Sequence, residues 1–207
     1  MSSLHTISAD HLSLDLVEDI LFTNKNIALS ADATRAVQQC VDYLDRKIQE
    51  EDALHYGINT GFGSLCNVAI SKKDIAQLQY NLLVSHAAGT GETVPPEIVR
   101  LMLLLKVQSL SYGNSGVRTE VIDRLCTFFN LQILPEVFQL GSLGASGDLA
   151  PLAHLCLPMI GKGKVWYQDR WQSADLVLAT HQWTPLEFQA KEALALLNGT
   201  QFSTAYG

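Results

Sequence analysis

Apolar residues in this chain recur at intervals of three and four, and that spacing restricts the fold more than any other feature. Val37, Cys40, Val41, Leu44 and Ile48 form one stripe of an amphipathic helix that Ser30 is placed to cap. Ser71 with Asp74 three residues on has the form of a capping box ahead of Ile75, Leu78 and Leu82. Pro95-Pro96 suits the first turn of another helix through Ile98, Leu101, Leu105 and Ser109, with Gly113 as its stop. Further helices are predicted near 10–21, 118–130, 148–160 and 187–197. Strand signals are few, the best being Val165-Trp-Tyr and Trp171 around Gln168-Asp-Arg170, a short hairpin. The predicted fold class is therefore mainly α with one minor β hairpin.

Composition narrows the partners. The chain has 207 residues, 47% hydrophobic and 17% charged, enough apolar content for one domain with a substantial core. Its net charge of −7, with no basic run longer than Lys72-Lys73, argues against nucleic acid and anionic membrane as partners. The apolar stretch Leu101–Leu105 is cut off by Arg100 and Lys106, far short of the ~20 residues that span a bilayer. Acids at Asp10, Asp15, Glu18 and Asp19, without an early Lys or Arg, do not make a secretory leader, so a cytoplasmic location is expected. Cys40, Cys66, Cys126 and Cys156 form no C-x-x-C pair and read as reduced thiols rather than disulfides or zinc ligands. No metal site is expected.

Glycine-rich connections at 57–63, 89–91, 113–116 and 141–147 separate the helices, and such loops are where a helical scaffold presents backbone and polar groups to a ligand. The decisive one is Gly141-Ser-Leu-Gly-Ala-Ser-Gly-Asp-Leu-Ala-Pro-Leu152. Asp148 stands where a nucleophile elbow needs its last glycine, which weakens a serine hydrolase built on Ser146. The glycines fit neither G-x-G-x-x-G nor a P-loop. A different chemistry suits Ala145-Ser146-Gly147. Attack of the Gly147 nitrogen on the Ala145 carbonyl carbon closes a five-membered ring with loss of that carbonyl oxygen as a first water, helped by the missing Cβ of glycine. Loss of the Ser146 hydroxyl as water then leaves a methylidene. The product is an electron sink made from backbone, and a helix beginning near Asp148 adds its N-terminal dipole to negative charge developing there.

Gly144-Ala-Ser-Gly-Asp-Leu-Ala-Pro-Leu152 resembles the signature of the aromatic amino acid ammonia-lyases and aminomutases. Tyr56-Gly-Ile-Asn-Thr-Gly-Phe-Gly63, Leu78-Gln-Tyr-Asn-Leu-Leu-Val-Ser-His86, Gly113-Asn-Ser-Gly-Val-Arg118 and Leu197-Asn-Gly-Thr-Gln201 follow in the family's order. The resemblance implies that Ala145, Ser146 and Gly147 mature into 4-methylideneimidazol-5-one (MIO), the only cofactor expected, within the N-terminal prosthetic-group domain of a multihelical lyase fold. It also implies a homotetramer acting on a small amino acid.

By the same resemblance Tyr56 is the base that takes the substrate β-proton, against the plainer reading of an aromatic packed on its loop. Asn198 hydrogen-bonds near the ring and the substrate amine, and also reads as a helix C-cap before Gly199; the two readings are compatible. Ser85 and His86 occupy the position that selects the substrate ring, where Ser-His resembles the histidine lyases, as does Gln201. An imidazole exchanges hydrogen bonds with His86 as a phenyl ring cannot. The activity implied is conversion of L-histidine to urocanate and ammonia, a step of histidine catabolism. Tyrosine lyases and aminomutases, some of which carry Ser-His, are the alternative within the family. An inactive folding or interaction module is the alternative outside it, because the family's later site residues have no counterpart before Gly207. The whole chain, 1–207, is thus expected to be an MIO-bearing domain cut before its helical bundle is complete, with the apolar run Ala193–Leu197 close to the end.

Overall fold

The computed structural model describes residues 3–50, 54–55, 57–61, 68, 70–71, 74–144 and 146–207. The periodic segments are helices. Strand β1 (Leu4–Ile7) leads to α1 (Leu14–Phe22), β2 (Asn26–Leu29) and the long α2 (Ala31–Glu50), followed by α3 (Ile75–His86), β3 (Thr90–Thr93), α4 (Pro96–Ser111) and α5 (Thr119–Asn130). Strands β4 (Leu134–Pro135) and β5 (Phe138–Leu140) precede α6 (Leu149–Cys156). The hairpin β6 (Lys164–Tyr167) and β7 (Arg170–Ser173) precedes α7 (Ala174–Thr180), α8 (Glu192–Leu197) and α9 (Gln201–Tyr206).

Helix α4 forms the axis of the core. Val99, Met102, Leu103, Leu104, Val107 and Leu110 are all buried, as α4 packs against α2, α5 and α9. A helix apolar on nearly every face has to sit inside the molecule. Truncating one of these leucines to alanine would cost about 2–5 kcal/mol. Helices α3, α6 and α8 pack on one another beside this axis. Their ends and the loops between them carry the site.

The local signals mostly hold. Ser30 Oγ accepts the Ala33 N–H at 3.1 Å, Pro96 opens α4, and Gly113 follows its end with φ +70°. The hairpin turns at Gln168 and Asp169, both at positive φ, which suits the twist of a two-residue connection. Four differences have physical reasons. Among the described residues Ser71 makes no cap: its hydroxyl donates to Asp74 Oδ2 at 2.6 Å, and α3 starts at Ile75. The segment 10–21 begins its helix at Leu14, where Ser13 Oγ accepts the Leu16 N–H. The helix expected over 148–160 ends at Cys156 and continues as a 3-10 turn, Leu157–Ile160, because Pro158 has no N–H for the α-helical ladder. The helix expected from 187 starts at Glu192, since Lys191 lies at φ +70° and breaks the ladder behind it.

Strands β1 to β5 and helices α7 and α9 are additions to the predicted elements. The strands run to four residues or fewer, too short for alternation to register. The parallel pair β1–β2 is closed on one side by α5: Asn130 Oδ1 accepts the Ile27 N–H at 2.7 Å and its Nδ2 donates to the Ile27 carbonyl at 2.9 Å. Cys40, Cys126 and Cys156 are free thiols, the last two buried, and Cys66 lies outside the described residues. Among the described residues, no helix is long and apolar enough to cross a membrane, and no three His, Cys, Asp or Glu gather as metal ligands.

Candidate active site

The loop 141–147 joins β5 to α6, and its end is fixed by a contact between two glycines. Gly147, at φ +104°, forms a parallel bridge with Gly199, and the next N–H, that of Asp148, donates to the Gly199 carbonyl at 2.8 Å. A Cβ on Gly147 would lie 2.4 Å from that carbonyl oxygen. No side chain fits there, so glycine is required by both the backbone angle and the space.

Asp148 holds the loop from below. It is buried, and its Oδ1 accepts the hydroxyls of Ser142 at 3.0 Å and Ser203 at 2.7 Å, while Oδ2 accepts the Ser203 N–H at 2.8 Å. One carboxylate thus ties the loop's start to the first turn of α9. Ser146 is exposed at the loop surface. Among the described residues its hydroxyl makes no hydrogen bond to a histidine or carboxylate, so the arrangement does not provide the activating base a serine hydrolase needs. Ala145 and Tyr56 lie outside the described residues.

His86 is the last residue of α3. Its Nδ1 faces the Leu82 carbonyl at 2.8 Å, which fixes the proton on Nδ1 and leaves the lone pair on Nε2. Ser85 Oγ donates to the same carbonyl at 3.1 Å. Ser85, His86, Gly144, Ser146, Gly147 and Leu149 line one cavity of about 300 Å³. Residues some sixty positions apart are brought together because α3 and α6 pack side by side. A further tie is made by His154 of α6, whose Nε2 accepts the Gly89 N–H at 3.0 Å. Burial holds the His154 imidazole below its ordinary pKa, so it stays neutral and keeps that acceptor.

Asn198 and Gln201 lie apart from His86. Both line a second cavity of about 350 Å³ with Ser109, Asn114, Ser115 and Lys191, and the bridged pair Gly147 and Gly199 contributes one residue to the lining of each. Asn198 closes α8 as a C-cap, its N–H and its Nδ2 both donating to the Leu194 carbonyl, at 3.1 and 2.7 Å. The buried Gln201 Oε1 has no partner among the described residues.

Three contributors were not picked out from the sequence: Asp148, His154 and Lys106. Lys106 is 1% exposed within α4, and its Nζ donates to the Asn198 carbonyl at 2.8 Å. Burial pulls its pKa down to about 8, opposed by the nearby Cys156 and Asp148, while burial pushes the Cys156 thiol up to about 12. The available signal was a lysine with Met102, Leu103 and Leu110 at helical spacing on either side, a charge inside an apolar face.

Residues 12–207 match the family described as aromatic amino acid lyase. A histidine ammonia-lyase of Deinococcus radiodurans is 48% identical over 190 residues, covering 92% of this chain and 36% of the relative. Among solved structures, a histidine ammonia-lyase from Trypanosoma cruzi superposes with a TM-score of 0.88 at 33% identity, over 98% of this chain and 38% of that one. A tyrosine aminomutase from Streptomyces globisporus gives 0.88 at 30%, over 99% and 38%. The chain therefore spans well under half the length of these relatives, and its helical fold is theirs over the part it covers. By its sequence and its fold, the chain belongs to the aromatic amino acid lyase family.

Proposed function

We propose that this chain is the MIO-bearing domain, 1–207, of an ammonia-lyase acting on L-histidine, releasing ammonia and urocanate. The observation that carries the reading is the shared cavity: His86 and the Ser146-Gly147 dipeptide line the same space of about 300 Å³. The residues present fit the prosthetic group. Gly147 has the open backbone angle and the missing Cβ that ring closure needs, and the Ser146 hydroxyl is exposed for loss as water. Once formed from Ala145, Ser146 and Gly147, the group supplies an electron sink for the departing amine.

The chain's own residues supply orientation and proton transfer. His86 presents an Nε2 lone pair, which accepts the N–H of a substrate imidazole and leaves a phenyl ring unrewarded. Tyr56 is assigned the β-proton: the C–H bond gives its electrons to the new double bond as the C–N bond breaks. Its phenol has to be strongly polarised for that step, because a free tyrosine titrates near ~10. Asn198 and Gln201 are assigned to the amine and ring side through the bridge they flank. Helix α6 begins at Leu149, directly after the loop, so its N-terminal dipole favours negative charge there.

Identity to histidine ammonia-lyases supports histidine over tyrosine. A cytoplasmic homotetramer is the proposed setting; Leu143, 91% exposed beside the cavity, offers apolar surface that a neighbouring segment would cover. The test is intact mass followed by incubation with L-histidine and, separately, L-tyrosine. A protein lighter by two waters that produces urocanate absorbance supports the reading. Turnover of tyrosine alone overturns the substrate assignment. A folded chain of unaltered mass without turnover supports the noncatalytic module.

A further inference from the structure

We infer that Lys106 is a positioning residue for the ring-forming tripeptide: its buried ammonium fixes the Asn198 carbonyl and, through it, the Gly199 peptide that clamps Gly147. The inference rests on the proposed ring chemistry for its purpose, but the clamp itself rests on geometry alone.

Lys106 is almost fully enclosed in α4, where its buried neighbours on the helix are apolar apart from Gln108 and Ser111. Taking an ammonium out of water is costly, and a Met or Leu would fill the same place without that cost. Among the described residues its one hydrogen bond is the 2.8 Å contact to the Asn198 carbonyl. That carbonyl belongs to the peptide entering Gly199, whose own carbonyl accepts the Asp148 N–H at 2.8 Å and sits where a Gly147 Cβ would be. Gly199 lies at φ +134° and has no side chain to hold it, so its place is set by what grips the peptides on either side. On the α4 side the grip is Lys106. A charge-assisted bond to a buried carbonyl is stronger than a neutral one, and without it that acceptor is left unmatched. Lys106 thereby sets how closely Gly199 presses on Gly147, whose nitrogen is the one that the proposed ring closure requires to attack the Ala145 carbonyl carbon.

Amide hydrogen exchange on the full chain tests the clamp, comparing wild type with Lys106→Met and Lys106→Gln, each checked for an intact core by the protection of α5. The Asp148 N–H is expected to exchange about tenfold or more faster in Lys106→Met, as expected from losing a hydrogen bond to a charged group. Lys106→Gln, which keeps a donor of shorter reach, is expected to fall between. Equal Asp148 protection in wild type and a folded Lys106 variant overturns the clamp. Should Met at this position prevent folding, the comparison of Gln with wild type decides alone. Intact mass of the same samples separates the two ideas. Faster exchange together with a wild-type mass lacking the loss of two waters keeps the clamp and removes the ring reading; a lighter wild type with unchanged exchange in the variants does the reverse.

Discussion

Replacing Glu192 should reveal how α8, and with it Asn198, is held in place. The Glu192 carboxylate is 1% exposed and receives four donors. Oε1 accepts the Arg118 peptide N–H at 3.0 Å and Nε–H at 2.9 Å, and Oε2 accepts Arg118 Nη2 at 3.0 Å and the Gln189 N–H at 2.7 Å. In Glu192→Gln the amide oxygen can still serve two of these, but the NH2 group faces the other two donors. Two charge-assisted bonds at ~1.5–3 kcal/mol each set the upper limit of the loss. Arg118 keeps the Glu187 carbonyl at 2.8 Å and Glu120 at 3.2 Å, and its side chain is 31% exposed, so water recovers part. The expected destabilisation is about 3 kcal/mol for Gln, and about 3–5 kcal/mol for Glu192→Ala, which strips the guanidinium of its buried partner. Urea denaturation followed by circular dichroism measures both, with an unchanged slope as evidence that the folded state is otherwise intact. A Gln variant within about 0.5 kcal/mol of wild type, the range of ordinary surface substitutions, would refute the claim that the carboxylate's four acceptor contacts anchor α8.

Gly147→Ala is expected to lose about 2–4 kcal/mol by denaturation and to retain its full intact mass, because its Cβ meets the Gly199 carbonyl and its φ is one that alanine resists. Stability should also rise with pH between about 8 and 10.5. Folded Lys106 gives up its proton near the lower value while the unfolded chain keeps its own to the higher, so this contribution is complete above 10.5 and is lost as the pH falls to about 8. Its size is at most about 3 kcal/mol, and denaturation of Lys106→Met over the same range should lack that slope. Maleimide labelling of the native chain at mildly alkaline pH should spare Cys126 and Cys156, whose thiols burial pushes up to about 12, and mark the half-buried Cys40; modification of either buried cysteine before unfolding would contradict their placement.

What the sequence made legible and what it hid divide along one line, the distance over which an interaction acts. Ser30, Pro96, Gly113 and the Gln168-Asp169 turn act within a few residues, so spacing alone located them. The strands β1 and β2 are four residues each, and the outer edge of β2 is satisfied by Asn130, some hundred positions on, which no periodicity in either segment contains. Ser71 and Asp74 had the right letters for a capping box, yet the hydroxyl and carboxylate satisfied each other first.

The site repeats that division at finer scale. The chemistry proposed for Ala145-Ser146-Gly147 is local, since a ring closed from consecutive residues can be read from their order. Its mechanical support comes from elsewhere in the chain: Gly199 presses on Gly147, Asp148 reaches Ser203 and Lys106 reaches Asn198, with the members of each pair separated by fifty to ninety positions. Lys106 and Asp148 are costly to bury, and each is tolerated by meeting backbone or hydroxyl groups of the α8–α9 turn. That turn is therefore where a backbone bond to Gly199, a carboxylate on Ser203 and an ammonium on the Asn198 carbonyl meet within one short segment. A loop that must bend sharply enough for its own nitrogen to meet its own carbonyl carbon needs an outside surface to bend against. In this fold the Asn198-Gly199 peptide lies against Gly147, so the proposed ring closure would be controlled by residues that never enter the ring.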